Sequence, residues 1–299
     1  APAGSTAAPT KAASDYQVAM ITDYGDITDQ SFNQTTYEAC KAFCEENNMK
    51  FNYFKPAGDS DAERVAMIES AIDEGYNVIV MPGYAFAGAI KETAGTYTDT
   101  TFIALDVSAA DLGDDYKVPS NLYCAVYQEE LSGYMAGYAA VKMGYKHLGF
   151  LGGMAVPAVV RFGYGFVQGA DAAAKELGVK VDMNYSWQYG ASFSASPELQ
   201  TMVSGWYEAG TEVVFACGGS MFASVAAAAG AADGKVVGVD VDQSTESDTV
   251  ITSAMKGLAD SVQWALGKFY SNEFASIGGV GTSLGANENA VGLPTATWS

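Results

Sequence analysis

Short apolar runs alternate with longer amphipathic stretches along the chain from Tyr16 onward. The short runs have the length of a buried strand and are bounded by Gly, Pro or Asp. They read VAMIT, FNYF, NVIVMPG, TFIALDV, LGFLGG, VDMNYSW, EVVFACGG and KVVGVDVD. Apolar residues at helical spacing predict helices between them, among others at 31–47, 61–75, 129–143, 161–177 and 197–209. This alternation predicts a doubly wound α/β fold.

The pattern runs through the chain twice. The first four strands end at Asp106, and a second set opens at LGFLGG and ends at GVDVDQ. A last helix, at 258–270, follows the segment VITSAMK. Two units of about 120 residues have the size of ordinary domains, so we expect two Rossmann-like lobes with the ligand in the cleft between them. The expected N-terminal lobe is 16–124 plus about 251–275, and the expected C-terminal lobe is 125–250 plus about 276–299.

Composition narrows the possible partners. The chain has 299 residues, 49% of them hydrophobic, and a formal net charge of -20, which disfavours nucleic acid and anionic lipid surfaces. No apolar run reaches the roughly 18 to 20 residues that a membrane span needs. Cys40, Cys44, Cys124 and Cys217 have the pattern of small buried hydrophobic residues. Residues 1–15 are rich in Ala, Ser, Thr, Pro and Gly and predict a flexible tether, typical of a protein held at a cell surface.

The loop after the first strand carries the most informative chemistry. Parallel sheets bind ligands at the carboxyl ends of their strands, where helix N-termini most often hold phosphate. Here Asp23, Asp26 and Asp29 fill that place, and Phe32 adds an aromatic ring. The acids would repel a phosphate, which favours an uncharged or cationic ligand rich in hydroxyl or N–H donors. The alternative is that the acids only cap the helix that begins at Ser31.

Other strand ends carry residues of the same kinds. They are Gly83, Tyr84, Asp106, Trp187, Tyr189, Phe193, Gly218, Gly219, Asp240 and Asp242. Carboxylates accept hydrogen bonds from vicinal sugar hydroxyls or from the N–H edge of a base. Glycines allow close backbone approach, and aromatic side chains can clamp a ring. Because no nucleophile lies beside a base and no metal-ligand spacing is present, we expect neither catalysis, nor a cofactor, nor a required metal.

Several motifs together resemble one family. TDYGDITDQSFNQ, MPGY, FIALD, GGMAVPAVVRFGYGF, GVDVDQ and TSAMKG occur in the order and spacing of the basic membrane protein family, substrate-binding lipoproteins of ABC transporters that include a purine nucleoside receptor. The resemblance runs from about Tyr16 to Phe274. It implies a type I periplasmic-binding fold with a hinge, a bound nucleoside, an ABC permease as partner, and an extracytoplasmic lipoprotein anchored to the membrane.

The resemblance also implies roles for individual residues. Phe32 and Phe193 would sandwich the base, with Asp23, Asp26 and Asn33 near its polar edge. Asp106, Asp240 and Lys256 would hold the ribose hydroxyls, and the backbone at Gly218 or Gly219 would approach the ligand. Without the resemblance, Lys256 would be interpreted as a surface lysine at the end of a strand.

The sequence is compatible with three other functions. A receptor of the same fold could bind a sugar or another small polar ligand. DVDQS, with Asp240 and Asp242 after an apolar strand, is similar to the nucleophile motif of magnesium-dependent phosphatases. A sensory protein whose closed form is recognised by a membrane partner would bind the same ligand as a transport protein.

Overall fold

The computed structural model describes residues 15–186 and 192–296, which form two α/β units. The strands are β1 (Gln17–Ile21), β2 (Lys50–Phe54), β3 (Val78–Pro82), β4 (Thr101–Leu105), β5 (Leu122–Tyr127), β6 (His147–Gly152), β7 (Asp182–Ser186), β8 (Val213–Cys217), β9 (Lys235–Asp240), β10 (Val250–Lys256), β11 (Val280–Leu284) and β12 (Val291–Gly292). The α-helices are α1 (Phe32–Glu46), α2 (Asp61–Asp73), α3 (Ala87–Thr93), α4 (Glu129–Lys142), α5 (Pro157–Leu177), α6 (Pro197–Glu208), α7 (Met221–Ala232) and α8 (Leu258–Tyr270).

Each unit is built on a six-stranded sheet, and the two sheets have the same strand order. The first sheet runs β11-β5-β4-β3-β1-β2 and the second β12-β10-β9-β8-β6-β7. The first five strands of each set pair in parallel with their neighbours, while β12 pairs antiparallel with β10. Parallel neighbours place all their carboxyl ends at one edge of the sheet, where ligand-binding residues collect. The prediction of two doubly wound α/β lobes is confirmed.

The central strands are apolar because both of their faces are covered. All residues of β3 and β8 are buried, which explains why VIVMP and VVFAC read as continuous apolar runs. The core of the first unit contains Ile21, Ile79 and Phe102. The second unit has a corresponding core that contains Phe150, Phe166 and Phe215.

Helix ends follow local sequence signals. The Ser60 side chain accepts a hydrogen bond from the backbone N–H of Glu63 at the start of α2, and Ser196 accepts one from Leu199 at the start of α6. α5 begins at Pro157, four residues before the predicted start at Arg161. Proline suits the first helical turn because its missing N–H would have no partner within the helix.

Helices α4 and α5 approach each other unusually closely. A Cβ added at Gly133 or Gly137 of α4 would overlap a backbone carbonyl oxygen of α5, and the same holds in reverse for Gly165 and Gly169 of α5. Glycine at these four positions removes the side chains that would hold the two backbones apart. The contact matters because α4 begins with Glu129, and α5 carries Arg161 in its second turn.

The predicted lobe boundaries need correction at the C-terminal end. Among the described residues, the first unit comprises 15–27, 33–126 and 258–283, and the second comprises 28–32, 127–186, 192–257 and 284–296. Residues 251–257, predicted for the N-terminal lobe, belong to the second unit because β10 pairs with β9. Residues 276–283, predicted for the C-terminal lobe, belong to the first unit because β11 lies beside β5.

All four cysteines are buried. Within the described residues, no helix has both the length and the apolarity that a membrane span requires. The predicted tether at 1–15 lies outside the described residues except for Asp15.

Candidate functional site

Most of the predicted ligand-binding residues lie at the carboxyl ends of the central strands. In the first unit Asp23 follows β1, Gly83 and Tyr84 follow β3, and Asp106 follows β4. In the second unit Gly218 and Gly219 follow β8, Asp240 ends β9, and Lys256 ends β10. The topology therefore groups each set at one edge of its own sheet.

Asp23 organises the loop that follows β1. Its Oδ1 atom accepts hydrogen bonds from the backbone N–H of Tyr24 at 2.6 Å and of Gly25 at 2.7 Å, and from Asn33 Nδ2 at 3.2 Å. Both Asp23 and Asn33 are buried. The structure thus brings together two of the residues predicted to meet the polar edge of a base and gives both of them a local hydrogen-bonding role. Their contact with a base stays a prediction.

A buried arginine donates a hydrogen bond to this loop. Arg64 of α2 is 3% exposed, and its Nε donates to the backbone oxygen of Asp23 at 3.2 Å. Its guanidinium group is also paired with Asp59 and Asp61. Burial, reinforced by the neighbouring Asp23 carboxylate, raises the pKa of Tyr24, so its hydroxyl stays protonated. The acidic loop is therefore hydrogen-bonded to a buried arginine.

Asp26 and Tyr84 lie in more exposed positions. The Asp26 side chain is 57% exposed, and its Oδ2 accepts a hydrogen bond from Lys55 Nζ at 2.8 Å, which holds the pKa of Asp26 below its usual value. Tyr84 is 38% exposed and starts a short 3₁₀ turn. Asp106 has a left-handed backbone with φ 61°, and its backbone N–H donates to Ala125 O at 2.8 Å. Their contacts with a ligand stay predictions.

Lys256 is the central member of the group of predicted ligand-binding residues in the second unit. Its side chain is only 3% exposed, and its Nζ atom lies 3.3 Å from Glu129 Oε1 and 3.9 Å from Asp240 Oδ1. The ammonium group also lies over the ring of Phe32, with 4.8 Å between Nζ and the ring centroid, and near the rings of Tyr127 at 5.3 Å and Phe162 at 5.7 Å. Lys256 is therefore a buried cation surrounded by carboxylates and aromatic faces, and it is not a surface lysine.

Glu129 connects this lysine to an arginine. The Glu129 side chain is completely buried, and its second oxygen, Oε2, accepts a hydrogen bond from Arg161 Nε at 2.6 Å. Glu129 is the first residue of α4, where the positive end of the helix dipole also favours a carboxylate. Two cations and two carboxylates, Glu129 and Asp240, thus form a charge-balanced cluster.

The segment 28–32 belongs to the second unit, although the residues on either side of it belong to the first. Asp29 Oδ1 accepts from the backbone N–H of Ser31 at 2.9 Å, and Ser31 Oγ donates to Asp240 Oδ2 at 2.5 Å. Gln243 Nε2 donates to the backbone oxygen of Gln30 at 2.9 Å. These bonds fix the segment and hold Phe32 beside Lys256. Asp29 thus has a local hydrogen-bonding role just before α1, as the capping alternative anticipated, whereas the Ser31 hydroxyl contacts the end of β9.

Phe193 packs on glycines of the same unit. A Cβ added at Gly153 or Gly218 would overlap the Phe193 ring, and Gly218 also has a positive φ of 154°. The backbone oxygen of Phe193 accepts hydrogen bonds from Met221 N at 3.0 Å and Ser220 Oγ at 3.2 Å. Gly219 has a left-handed backbone and lies next to the backbone of Phe193. Trp187 and Tyr189 lie outside the described residues.

The arrangement can bind polar groups. Asp240 already accepts from Ser31, and Asp242 Oδ1 accepts the backbone N–H of Ser244 at 3.0 Å. Among the described residues, no three His, Cys, Asp or Glu side chains cluster in a way that could hold a metal ion. Carboxylate acceptors, a buried ammonium and partly exposed rings are groups that recognise hydroxyls and a flat ring.

Sequence reasoning missed Glu129, Arg161, Ser31 and Arg64. Arg161 lies in VVRFG, a segment that carried the family resemblance without a role for any single residue. Ser31 lies within the D-x-G-x-x-x-D-x-S-F-N-Q motif. Glu129 has no distinguishing local signal, because acidic residues are common in the first turn of a helix. Arg64 is one of several charged residues in the sequence of α2, and nothing near it in the sequence marks it as buried.

Comparison with known proteins identifies relatives along nearly the whole chain. The ABC transporter nucleoside-binding protein BmpA of Lactococcus lactis subsp. cremoris is 29% identical over 246 residues, which are 78% of this chain and 66% of that protein. Basic membrane protein B of Borreliella burgdorferi is 29% identical over 288 residues, which are 94% of this chain and 81% of that protein.

Solved structures show the same fold. An ABC transporter solute-binding protein from Aeropyrum pernix has a TM-score of 0.80 at 21% identity, covering 93% of this chain and 76% of that one. The myo-inositol-binding protein of Caulobacter has a TM-score of 0.67 at 15% identity, covering 95% of this chain and 94% of that one. The model of the Bmp family, described as PnrA-like ABC transporter substrate-binding proteins, matches residues 16–297. The chain therefore belongs to the Bmp family of ABC transporter substrate-binding proteins.

Proposed function

We propose that this protein binds a nucleoside, with purine nucleosides as the favoured class, and delivers it to an ABC permease. As an ABC transporter substrate-binding protein, it acts outside the cytoplasm. We extend the proposal to a lipoprotein anchored in the membrane, with residues 1–15 as its tether.

The observation that carries the proposal is the cluster around Lys256. Its ammonium group and the Asp240 carboxylate offer a donor and an acceptor 3.9 Å apart, a spacing suited to vicinal hydroxyls. The half-buried ring of Phe32 lies beside the ammonium group and offers a surface for a base. A nucleoside carries both of these groups, a diol and a flat ring, within one molecule.

The naming of the Lactococcus lactis relative as a nucleoside-binding protein supports the same ligand class. The roles implied by the family resemblance add Asp23, Asp26, Asn33, Tyr84 and Asp106 from the first unit. The same resemblance adds Phe193, Gly218 and Gly219 from the second unit.

The charges favour a nucleoside over a nucleotide. Lys256 and Arg161 are balanced by Glu129 and Asp240, so this cluster offers a phosphate no net positive charge. The protein as a whole has a net charge of -20. A phosphate brought beside Asp240 would lose its hydration and meet a like charge.

Thermal unfolding with a ligand panel tests the proposal. The panel contains adenosine, guanosine, inosine, their 5′-monophosphates, the free bases and common monosaccharides. A ligand present at about 100 times its Kd adds about 2.7 kcal/mol of stability, which raises the melting temperature measurably. We expect a purine nucleoside to raise it and the matching monophosphate to leave it unchanged.

Two matched variants test whether the nucleoside-induced shift in melting temperature depends on Phe32. Phe32→Ala should abolish the nucleoside-induced shift, while Tyr164→Ala, which removes a 63% exposed aromatic ring from α5, should keep it. A shift given only by monosaccharides would identify a sugar receptor and refute the proposal. Magnesium-dependent hydrolysis of a phosphoester that is lost in Asp240→Asn would show a phosphatase. Co-purification with a membrane sensor in place of a permease would refute the transport role.

A further inference from the structure

Glu129 is placed to control both cations of the second-unit cluster. It has no exposed surface, and its two oxygens contact different partners, Lys256 Nζ at 3.3 Å and Arg161 Nε at 2.6 Å. These partners come from separate elements, since Lys256 ends β10 and Arg161 lies on α5. Glu129 therefore joins a strand end to a helix through one carboxylate.

The fold ensures that Glu129 can reach Arg161. Glycines at 133 and 165 allow α4 and α5 to touch backbone to backbone. Glu129 lies one turn before Gly133, and Arg161 lies one turn before Gly165. The close approach of the helices thus brings their charged first and second turns together.

Lys256 depends on Glu129 for its position. A buried ammonium without a close carboxylate is strongly unfavourable, and the Asp240 carboxylate, at 3.9 Å, is farther from it than the Glu129 carboxylate, at 3.3 Å. Asp240 is also engaged by Ser31. Glu129 thus holds the ammonium group over the Phe32 ring.

We propose that Glu129 is a positioning and specificity-determining residue, which fixes Lys256 beside Phe32 and cancels enough positive charge to make the site refuse a phosphorylated ligand. This inference rests on the proposed nucleoside binding. Without the Glu129 charge, Lys256 and Arg161 together exceed Asp240 by one positive charge. A nucleoside 5′-monophosphate then finds a favourable field where the native protein offers none.

Calorimetric titration of guanosine and guanosine 5′-monophosphate tests the charge role. In Glu129→Gln, the ratio of the nucleotide Kd to the nucleoside Kd should fall roughly tenfold or more, because nucleoside binding weakens and nucleotide binding strengthens. Glu130→Gln is the matched control, since it makes the same change one residue along α4, and its ratio should equal that of the native protein. The double variant Glu129→Gln with Arg161→Gln restores the charge balance and should again refuse the nucleotide. An unchanged ratio in Glu129→Gln would overturn the inference.

A ligand-free measurement tests the positioning role separately. The rings of Phe32, Tyr127 and Phe162 should shift the side-chain methylene resonances of Lys256 upfield, and the resonances are assigned by their loss in Lys256→Arg. Glu129→Gln should move them towards the values of an exposed lysine. Glu129→Asp, which keeps the charge and shortens the side chain, should move them less and still refuse the nucleotide.

These experiments distinguish a failure of the proposed function from a failure of the inference about Glu129. If the native protein bound no nucleoside, the proposed function would fail, and the specificity part of the inference with it. If the native protein bound guanosine while Glu129→Gln left both the Kd ratio and the Lys256 resonances unchanged, only the role of Glu129 would be refuted.

Discussion

The glycine-mediated contact between α4 and α5 predicts opposite effects for the same substitution at two positions. In Gly165→Ala, the added Cβ would overlap the carbonyl group and the Cα atom of Glu130, all of which belong to the backbone. Backbone atoms cannot rotate away as a flexible side chain can, so the helices must separate. In Gly205→Ala on α6, the added Cβ meets nothing within 4 Å.

The magnitude follows from comparing the two variants. Replacing Gly by Ala inside a helix stabilises it by up to about 1 kcal/mol, and this gain is common to both positions. The difference between the variants therefore isolates the steric cost at Gly165, and overpacking typically costs about 1 to 3 kcal/mol. Gly205→Ala should be more stable than the native protein, and Gly165→Ala less stable than Gly205→Ala by that amount.

Urea unfolding followed by far-ultraviolet circular dichroism measures both free energies. Both positions lie in the second unit, so the same unfolding transition reports on each of them. Equal stability of the two variants would show that α4 and α5 do not touch in solution as they do here. It would also weaken the structural basis for the contact between Glu129 and Arg161.

Two further predictions concern ionisable groups. Burial raises the pKa of Cys44 and of Cys124 to about 12 and that of Cys40 well above its usual value. A thiol reagent at mildly alkaline pH should therefore label none of the four buried cysteines in the native protein and all four in urea. Rapid labelling of the native protein would refute this prediction. Lys55 holds the pKa of Asp26 below its unfolded value of about 3.9, so the pair stabilises the fold above that pH and the contribution is lost as the pH falls through the folded-state pKa. Asp26→Asn should therefore lower the free energy of unfolding by less than about 1 kcal/mol at neutral pH and leave it unchanged in strong acid. Asp114→Asn serves as an exposed control. A loss of stability that persisted in acid would contradict the stabilising role of the Asp26–Lys55 pair.

Much of the fold could be predicted because its signals are local. Helix α8 has the predicted bounds, and α1, α2, α4 and α6 agree within two residues. β11 was missed because VGTSL is rich in small polar residues and only partly buried, as an edge strand can be. The assignment of 251–257 to the wrong lobe has a different cause, since the alternation of apolar residues identifies a strand without naming its partner.

The candidate site also combines residues that the sequence pattern indicates with contacts that only the structure shows. The position of Asp23, Asp106 and Asp240 at strand ends could be predicted because strand ends are visible in the sequence pattern. The contact between Lys256 and Glu129 joins residues 127 positions apart, and no local pattern encodes such a pair. Only the folded chain shows that the single lysine in the predicted set is buried among carboxylates and rings.

The shared strand order of the two sheets has an evolutionary consequence. It is the arrangement that duplication of one ancestral half would leave, and Asp106 and Asp240, which follow or end corresponding strands with φ values of 61° and 66°, preserve the same unusual backbone in both copies. The last residues of the corresponding strands β5 and β10 have diverged, with Tyr127 in one copy and Lys256 in the other. The two halves thus share one strand order and one backbone feature, while the side chains at an equivalent pair of strand ends differ.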